Sequence, residues 1–412
     1  MSLYTHFKWP FNSEEIERFL IHCDKDCTIS TKKINSRYRR RFVRIIFIYV
    51  VSIIKTIYFY LKQYFFVSKS EFNVRKLLLS TGRGYDLNNI KKLSGVSNEK
   101  SILINAYCMD DYMSLQKTSL FVIMLSLFNS IREYQYTLKS NIHNKVFENV
   151  LNNGVQNIPA YTYLRAFFVD FIKENNDCII YTSNAILASH AAILSGFKVI
   201  NLYHGLMGAI SPNTYPEYHS IYVYSEDERE YLLNSGIESE VCVYPYECIT
   251  NKSKSVIFFM ADNTSRVESK ELLDLIHQFK SHDYSIVIKI HPLHNASREF
   301  KSEYGLKDIA WNNIFDTSEF EILSLKDKDG MFVIKERRPS FVVGWHSTAL
   351  CEALNSNVIP ILMNDHSSRD NSFEIYHLER RSLLWPSEYE TVNNLLSNYS
   401  SYEDTIHMLK TR

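Results

Sequence analysis

YSIVIKIHPLH, residues 284–294, is the stretch on which the reading of the chain turns. Ser285 to Ile290 is a short apolar run rich in β-branched residues, which predicts a buried strand. Pro292 cannot donate to a sheet ladder and drives His291 into an extended conformation, so the strand stops there. That leaves a histidine at a strand's carboxyl end, where open α/β sheets bind their ligands. Roughly fifty residues on, the pattern recurs as FVVGWHST, residues 341–348, followed by the helical pattern Ala349 to Leu354. The two units read as two walls of one phosphate-binding crevice.

With 412 residues the chain is long enough for two domains with cores of their own. The formal net charge is zero, which gives no electrostatic case for a nucleic-acid partner. Seven cysteines without a framework predict reduced thiols in a cytosolic protein. Cys23 and Cys27 beside His22 are zinc-ligand types, but no second pair completes a tetrahedral site, so no metal is expected. The start, MSLYTHFKWPF, has neither the basic head nor the apolar run of a secretion signal.

Charge is balanced overall but not locally. From residue 28 to residue 70 there is no acid, while Lys32, Lys33, Arg37, Arg39, Arg40, Arg41, Arg44, Lys55, Lys62 and Lys69 are basic. The apolar run Ile45 to Ile54 and its aromatic continuation are broken by Lys55 and Lys62, short of the roughly 20 apolar residues a span needs. Residues 1–70 therefore read as a basic, aromatic segment lying on a membrane surface, with a buried helix of the first domain whose arginines are solvated, or a true span, as the alternatives.

Residues 71–249 form the first α/β domain. Ser101 to Cys108 reads as a strand with Asp110 and Asp111 at its carboxyl end, candidates for a catalytic base or for caps of the next helix. Thr118 to Leu138 has the length and apolar character of a buried helix. Strand Cys178–Tyr181, helix Asn184–Leu194 and strand Lys198–Tyr203 make a βαβ unit that runs into His204-Gly205, where the glycine lets a ligand approach the backbone. Ser225 caps a helix carrying Glu226, Asp227 and Glu228 in its first turn.

Residues 250–412 form the second. Strand Ser255–Met260 leads through a polar loop containing Asn263 and Thr264 to a helix start, an arrangement that receives phosphate. Asp327-Lys328-Asp329 has the acid-x-acid form of a metal-binding triplet but reads as a solvated turn. His346, Ser347 and Thr348 stand where backbone N–H groups and hydroxyls can hold phosphate oxygens. Glu352, one turn on, is placed to accept from a ribose or to face solvent as an ordinary helical acid.

At these residues the chain resembles bacterial two-domain glycosyltransferases of the GT-B type that build capsule, lipooligosaccharide or O-antigen from CMP- or CDP-activated donors. The matching pieces are Tyr203-His204-Gly205, Ile221 to Ile237, IKIHP at 288–292 and GWHSTALCEAL at 344–354. The resemblance implies two Rossmann-like domains with an interdomain cleft, the second binding the nucleotide sugar. By resemblance to sialyltransferases, His291 and Pro292 contact a cytidine nucleotide and Ser347 and Thr348 hold its phosphate. By resemblance to teichoic-acid glycerophosphotransferases, His204 is the base. The acidic motif that supplies the sialyltransferase base is absent in strict form, Asp110-Asp111 lacking its glycine. The implied activity is metal-independent, inverting transfer of a sialic or related acid from a CMP donor to a glycan or lipid-linked glycan at the inner membrane, with no cofactor. A CDP-glycerol or CDP-ribitol transferase and a non-catalytic binding module are the alternatives.

Overall fold

The structure, a computed structural model, describes residues 42–66, 74–80, 84–95, 101–106, 108–140, 158–183, 185–203, 217–234, 237–260, 270–290, 320–323, 330–345, 348–363, 389–397 and 402–411. These divide into two compact units, Met1–Val223 with Glu230–Cys242, and Val243–Arg412 with Tyr224–Arg229.

The first unit runs α1 (Phe42–Phe66), β1 (Lys76–Ser80), α2 (Gly84–Leu93), β2 (Ser101–Asn105), α3 (Met109–Leu115), α4 (Leu120–Ser140), α5 (Ile158–Phe171), β3 (Ile179–Thr182), α6 (Ile186–Leu194), β4 (Lys198–Leu202) and β5 (Ser220–Val223). Strand β6 (Glu240–Val243) completes its sheet, and helix α7 (Glu226–Asn234) straddles the division between the units at Arg229. Its six strands lie in the order β2-β1-β3-β4-β5-β6, and the pairs from β2 to β5 are parallel. The crossover of order falls between β1 and β3, the switch point of this sheet. Apolar runs such as Leu77–Leu79 become interior strands because both faces are covered by helices. Helix α5 is buried along most of its length, and its Phe167, Phe168 and Phe171 pack with Tyr112 and Phe197 at ring separations of 5.0–6.1 Å.

The second unit runs β7 (Ser253–Phe259), α8 (Lys270–Ser281), β8 (Ser285–Lys289), β9 (Glu321–Leu323), α9 (Gly330–Arg337), β10 (Pro339–Gly344), α10 (Thr348–Asn355), β11 (Ile359–Leu362), α11 (Tyr389–Ser397) and α12 (Tyr402–Thr411). Its five strands are all parallel in the order β11-β10-β7-β8-β9, the first strand in the middle and the chain winding outward in both directions. That is the Rossmann order, with its switch point between β7 and β10. Phe258, Phe279, Tyr284 and Phe341 form the aromatic centre of the core. A side chain in place of Gly344 would bring Cβ to 3.2 Å from the Phe259 carbonyl oxygen, so glycine is what lets β10 and β7 pair closely at the switch point.

Two expectations need correction. Helix α4 is not a buried helix: Phe121, Met124, Leu125 and Phe128 are exposed, because only its Ile123–Leu127 side meets α5. Glu352 does not face solvent; it is buried, because α10 lies on β10 and β11 with α9 and α12 packed against it.

Candidate functional site

The edge that matters in the second sheet is set by register. Gly344 pairs with Phe259, and Phe259 with Lys289, so β10, β7 and β8 end level. Met260 N–H donates to the Lys289 carbonyl at 2.9 Å, carrying the alignment one residue further. The strand leading into His291 and the strand leading into His346-Ser347 thus finish on the same edge, one strand apart across β7, and the switch point lies within that edge. His291, Pro292, Asn263, Thr264, His346 and Ser347 lie outside the described residues, as do Asp327–Asp329 and the Cys23–Cys27 pair. Of Thr348 the backbone is described, as the first residue of α10.

Glu352 is the described group with unusual chemistry there. It sits one turn into α10, 2% exposed, and its Oε1 has no hydrogen-bond partner among the described residues. Burial pushes the carboxyl up to about 8. A buried acceptor left open costs about 1–3 kcal/mol. One turn further along α10, the Asn355 side-chain amide donates to the Tyr224 carbonyl oxygen. Beside it, Tyr246 has a buried hydroxyl without a partner among the described residues, its pKa raised by burial first and by neighbouring Tyr224 and Cys351 next. Sequence reasoning missed Tyr246, and the polar run YPYECIT around it carries no periodic signal that would have found it.

In the first sheet Asp110 and Asp111 start α3, just past β2. Both are engaged: Lys62 donates to the Asp110 oxygens at 2.6 and 2.7 Å, and the Asn105 N–H donates to Asp111 Oδ2 at 2.7 Å. The hydrogen bond to Asp110 is the main reason the Lys62 pKa is raised. His204 lies outside the described residues, but β4, which leads into it, is three strand spacings from β2, roughly 14 Å. Ser183, immediately after β3 at this sheet's switch point, is fully buried, and its hydroxyl has no partner among the described residues. Its signal was present, a polar residue directly after an apolar strand, but the sequence offers many of these. Downstream, the Glu228 N–H donates to the Ser225 hydroxyl at 3.2 Å and Glu228 accepts from the Tyr224 N–H, so the expected cap of α7 forms.

A cavity of about 850 Å³ opens at the other end of the second sheet. Lys252, Lys254, Tyr284, Ser340, Asn357 and Glu403 line it, all at or near the amino ends of strands or the start of α12. Lys252 pairs with Glu403 at 3.2 Å and lies 4.3 Å from the Tyr402 ring centroid. Size notwithstanding, this is the edge opposite the switch-point crevice, and the α/β rule assigns the ligand to the carboxyl edge. Among the described residues no three of His, Cys, Asp and Glu gather as a metal-ligating group.

Both sheets with their helices define an α/β protein of two Rossmann-like domains. No protein-family model matches the chain, and no curated protein matches its sequence. Among solved structures, UDP-GlcNAc 2-epimerase from Neisseria meningitidis bound to UDP-GlcNAc is similar over 81% of this chain and 94% of its own, at 13% identity and a TM-score of 0.44. MurG from Acinetobacter baumannii is similar over 82% and 93%, at 10% identity and 0.36. The glycosyltransferase SsfS6 from Streptomyces sp. SF2575 is similar over 82% and 95%, at 11% identity and 0.36. Likeness of this degree concerns the fold, and no activity is carried over from it.

Proposed function

We propose that the chain is a metal-independent, inverting glycosyltransferase that takes a sialic or related acid from a CMP-activated donor to a bacterial surface glycan. The observation that carries the reading is the carboxyl edge of the second sheet. There a Rossmann switch point, two level strand ends leading into His-Pro and His-Ser-Thr sequences, and a buried open carboxyl on the following helix coincide. In this reading the donor nucleotide lies on that edge, with Glu352 accepting from its ribose hydroxyls and Ser347, Thr348 and the α10 terminus holding its phosphate. As the bond from the anomeric carbon to the phosphate oxygen breaks, negative charge collects on the nucleotide, and His291 and His346 stabilise it as it forms. A base on the first unit removes the acceptor hydroxyl's proton, a step worth about 10²–10⁴-fold.

The pairing of Asp110 with Lys62 and of Asp111 with a backbone N–H favours His204 as that base. The same observation supports the second reading, a CDP-glycerol or CDP-ribitol transferase, in which His204 takes that role by resemblance. A thermal-shift series with CMP, CDP, UDP and GDP, followed by competition between CMP-sialic acid and CDP-glycerol, separates the two. His291→Ala is expected to abolish transfer and nucleotide-induced stabilisation while leaving the unliganded melting temperature unchanged. Transfer at the wild-type rate in that variant would overturn the assignment.

A further inference from the structure

Two helices of the first unit turn apolar faces outward. In α1 the exposed side chains are Val50, Ile53, Ile54, Ile57, Tyr58, Leu61, Tyr64 and Phe65, an unbroken i, i+3, i+4 stripe. Its opposite face buries polar groups instead, Thr56 at 0% and Gln63 at 2% exposure. Helix α4 also leaves an apolar face outside: Phe121 is 77% and Phe128 63% exposed, with Met124 and Leu125 between them, while its buried face mixes Ser126 and Ser130 with Ile123 and Leu127. The buried polar atoms are satisfied internally. Gln63 donates to the Thr118 carbonyl and accepts from the Thr118 N–H at 3.0 Å and the Tyr163 hydroxyl at 2.9 Å, while Ser130 donates to the Ser126 carbonyl at 2.7 Å. Because Thr118 immediately precedes α4, the Gln63 bonds place the start of α4 beside the later half of α1, and both helices rest on α5.

An apolar helix face is left in water only when something else covers it in use. No helix among the described residues is long and apolar enough to cross a membrane. Lys55 lies on one flank of the α1 stripe and Arg132 at the end of the α4 stripe, where long cationic side chains reach from an apolar boundary to headgroups; Lys62, on the same flank as Lys55, is paired with Asp110. The ten basic residues and no acids of residues 28–70 continue the same sign. The excess of basic residues in 28–70 is better matched by an anionic surface than by a second copy that carries the same excess.

We infer that α1 and α4 together form a monotopic platform that seats the protein on an anionic lipid surface, with Phe121 and Phe128 of α4 entering the acyl boundary alongside the α1 stripe. The platform extends the surface contact expected of residues 1–70 to a second helix, and it does not depend on the transferase reading, since vesicle binding is measured without any donor.

The test uses the full chain and vesicles of phosphatidylcholine with and without phosphatidylglycerol, in a flotation assay. Wild type is expected to float with phosphatidylglycerol vesicles, more weakly at high salt. Phe121→Glu/Phe128→Glu is expected to lower binding by at least about tenfold with an unchanged melting temperature, because both positions are exposed. Phe121→Trp should be quenched by lipids with brominated acyl chains, beyond the quenching of the four native tryptophans. Wild-type binding by the double glutamate variant would overturn the α4 part of the proposal. Absence of vesicle binding, together with a dimer that the same variant dissociates, would overturn it in favour of a second copy.

Discussion

Glu352→Gln gives the sharpest check on the donor edge. The carboxyl is buried, open at Oε1 and raised from 4.5 to about 8 by desolvation, so the folded chain keeps a proton that the unfolded chain releases. Between about pH 4.5 and 8 the native state binds one proton more than the unfolded state. Stability from this group therefore falls as pH rises, by about 1.4 kcal/mol per unit, and levels off above the folded pKa. At pH 7 the accumulated penalty is about 3 kcal/mol, and near pH 4.5 it vanishes. The amide of the variant keeps the shape without the titration. Urea unfolding, followed in the tryptophan fluorescence to which buried Trp345 contributes, is expected to show Glu352→Gln more stable than wild type by about 3 kcal/mol at pH 7, rising to about 4 at pH 8. The two should converge at pH 5. A nucleotide whose hydroxyls donate to Oε1 favours the ionised form, so its binding near pH 7 should release protons from wild type and none from the variant. Those protons are read by calorimetry in buffers of different ionisation enthalpy. Parallel stability–pH curves for the two proteins, or a variant less stable at pH 8, would refute the reasoning.

Gln63→Leu strips both backbone groups of Thr118 of their side-chain partner and should cost about 2–4 kcal/mol, with faster amide exchange where α1 meets α4. Tyr402→Phe loses the hydroxyl that donates to the Ser340 carbonyl and accepts from the Ile359 N–H at 3.2 Å, and should destabilise the second unit by about 1–2 kcal/mol in chemical denaturation. Asp111→Asn retains an acceptor for the Asn105 N–H, so its stability is expected within about 0.5 kcal/mol of wild type and its transfer rate within a few fold. A loss of about 10²–10⁴-fold in kcat would instead make Asp111 the base. Gly344→Ala brings Cβ against the Phe259 backbone and should cost about 1–3 kcal/mol, measured by melting temperature.

Much of the fold was legible because parallel strands covered on both faces are written as short apolar runs. SIVIKI, FVVG, KVINLY and VIPILM all coincide with strands of the structure, and the proline after His291 marked where one of them ends. The strand Lys76–Ser80 was passed over, although it lies at the centre of the first switch point, because KLLLS is too brief to separate from a helical turn by period alone. Strand order was not legible at all. It follows from which crossovers pack where, and it alone sets the strand ends for His291 and His346 on one edge and those for Asp110 and His204 roughly 14 Å apart.

By itself, then, the chain's order of residues determined two α/β units, their strand ends, and the residue types standing at those ends, since these depend on local periodicity and backbone chemistry. Only the tertiary structure decided which faces are hidden. Thr56 and Gln63 lie inside while Phe121 and Phe128 lie outside, and Glu352 is sealed from water. Burial is a property of what packs against a helix from distant parts of the chain, and no local pattern of polar and apolar residues records it.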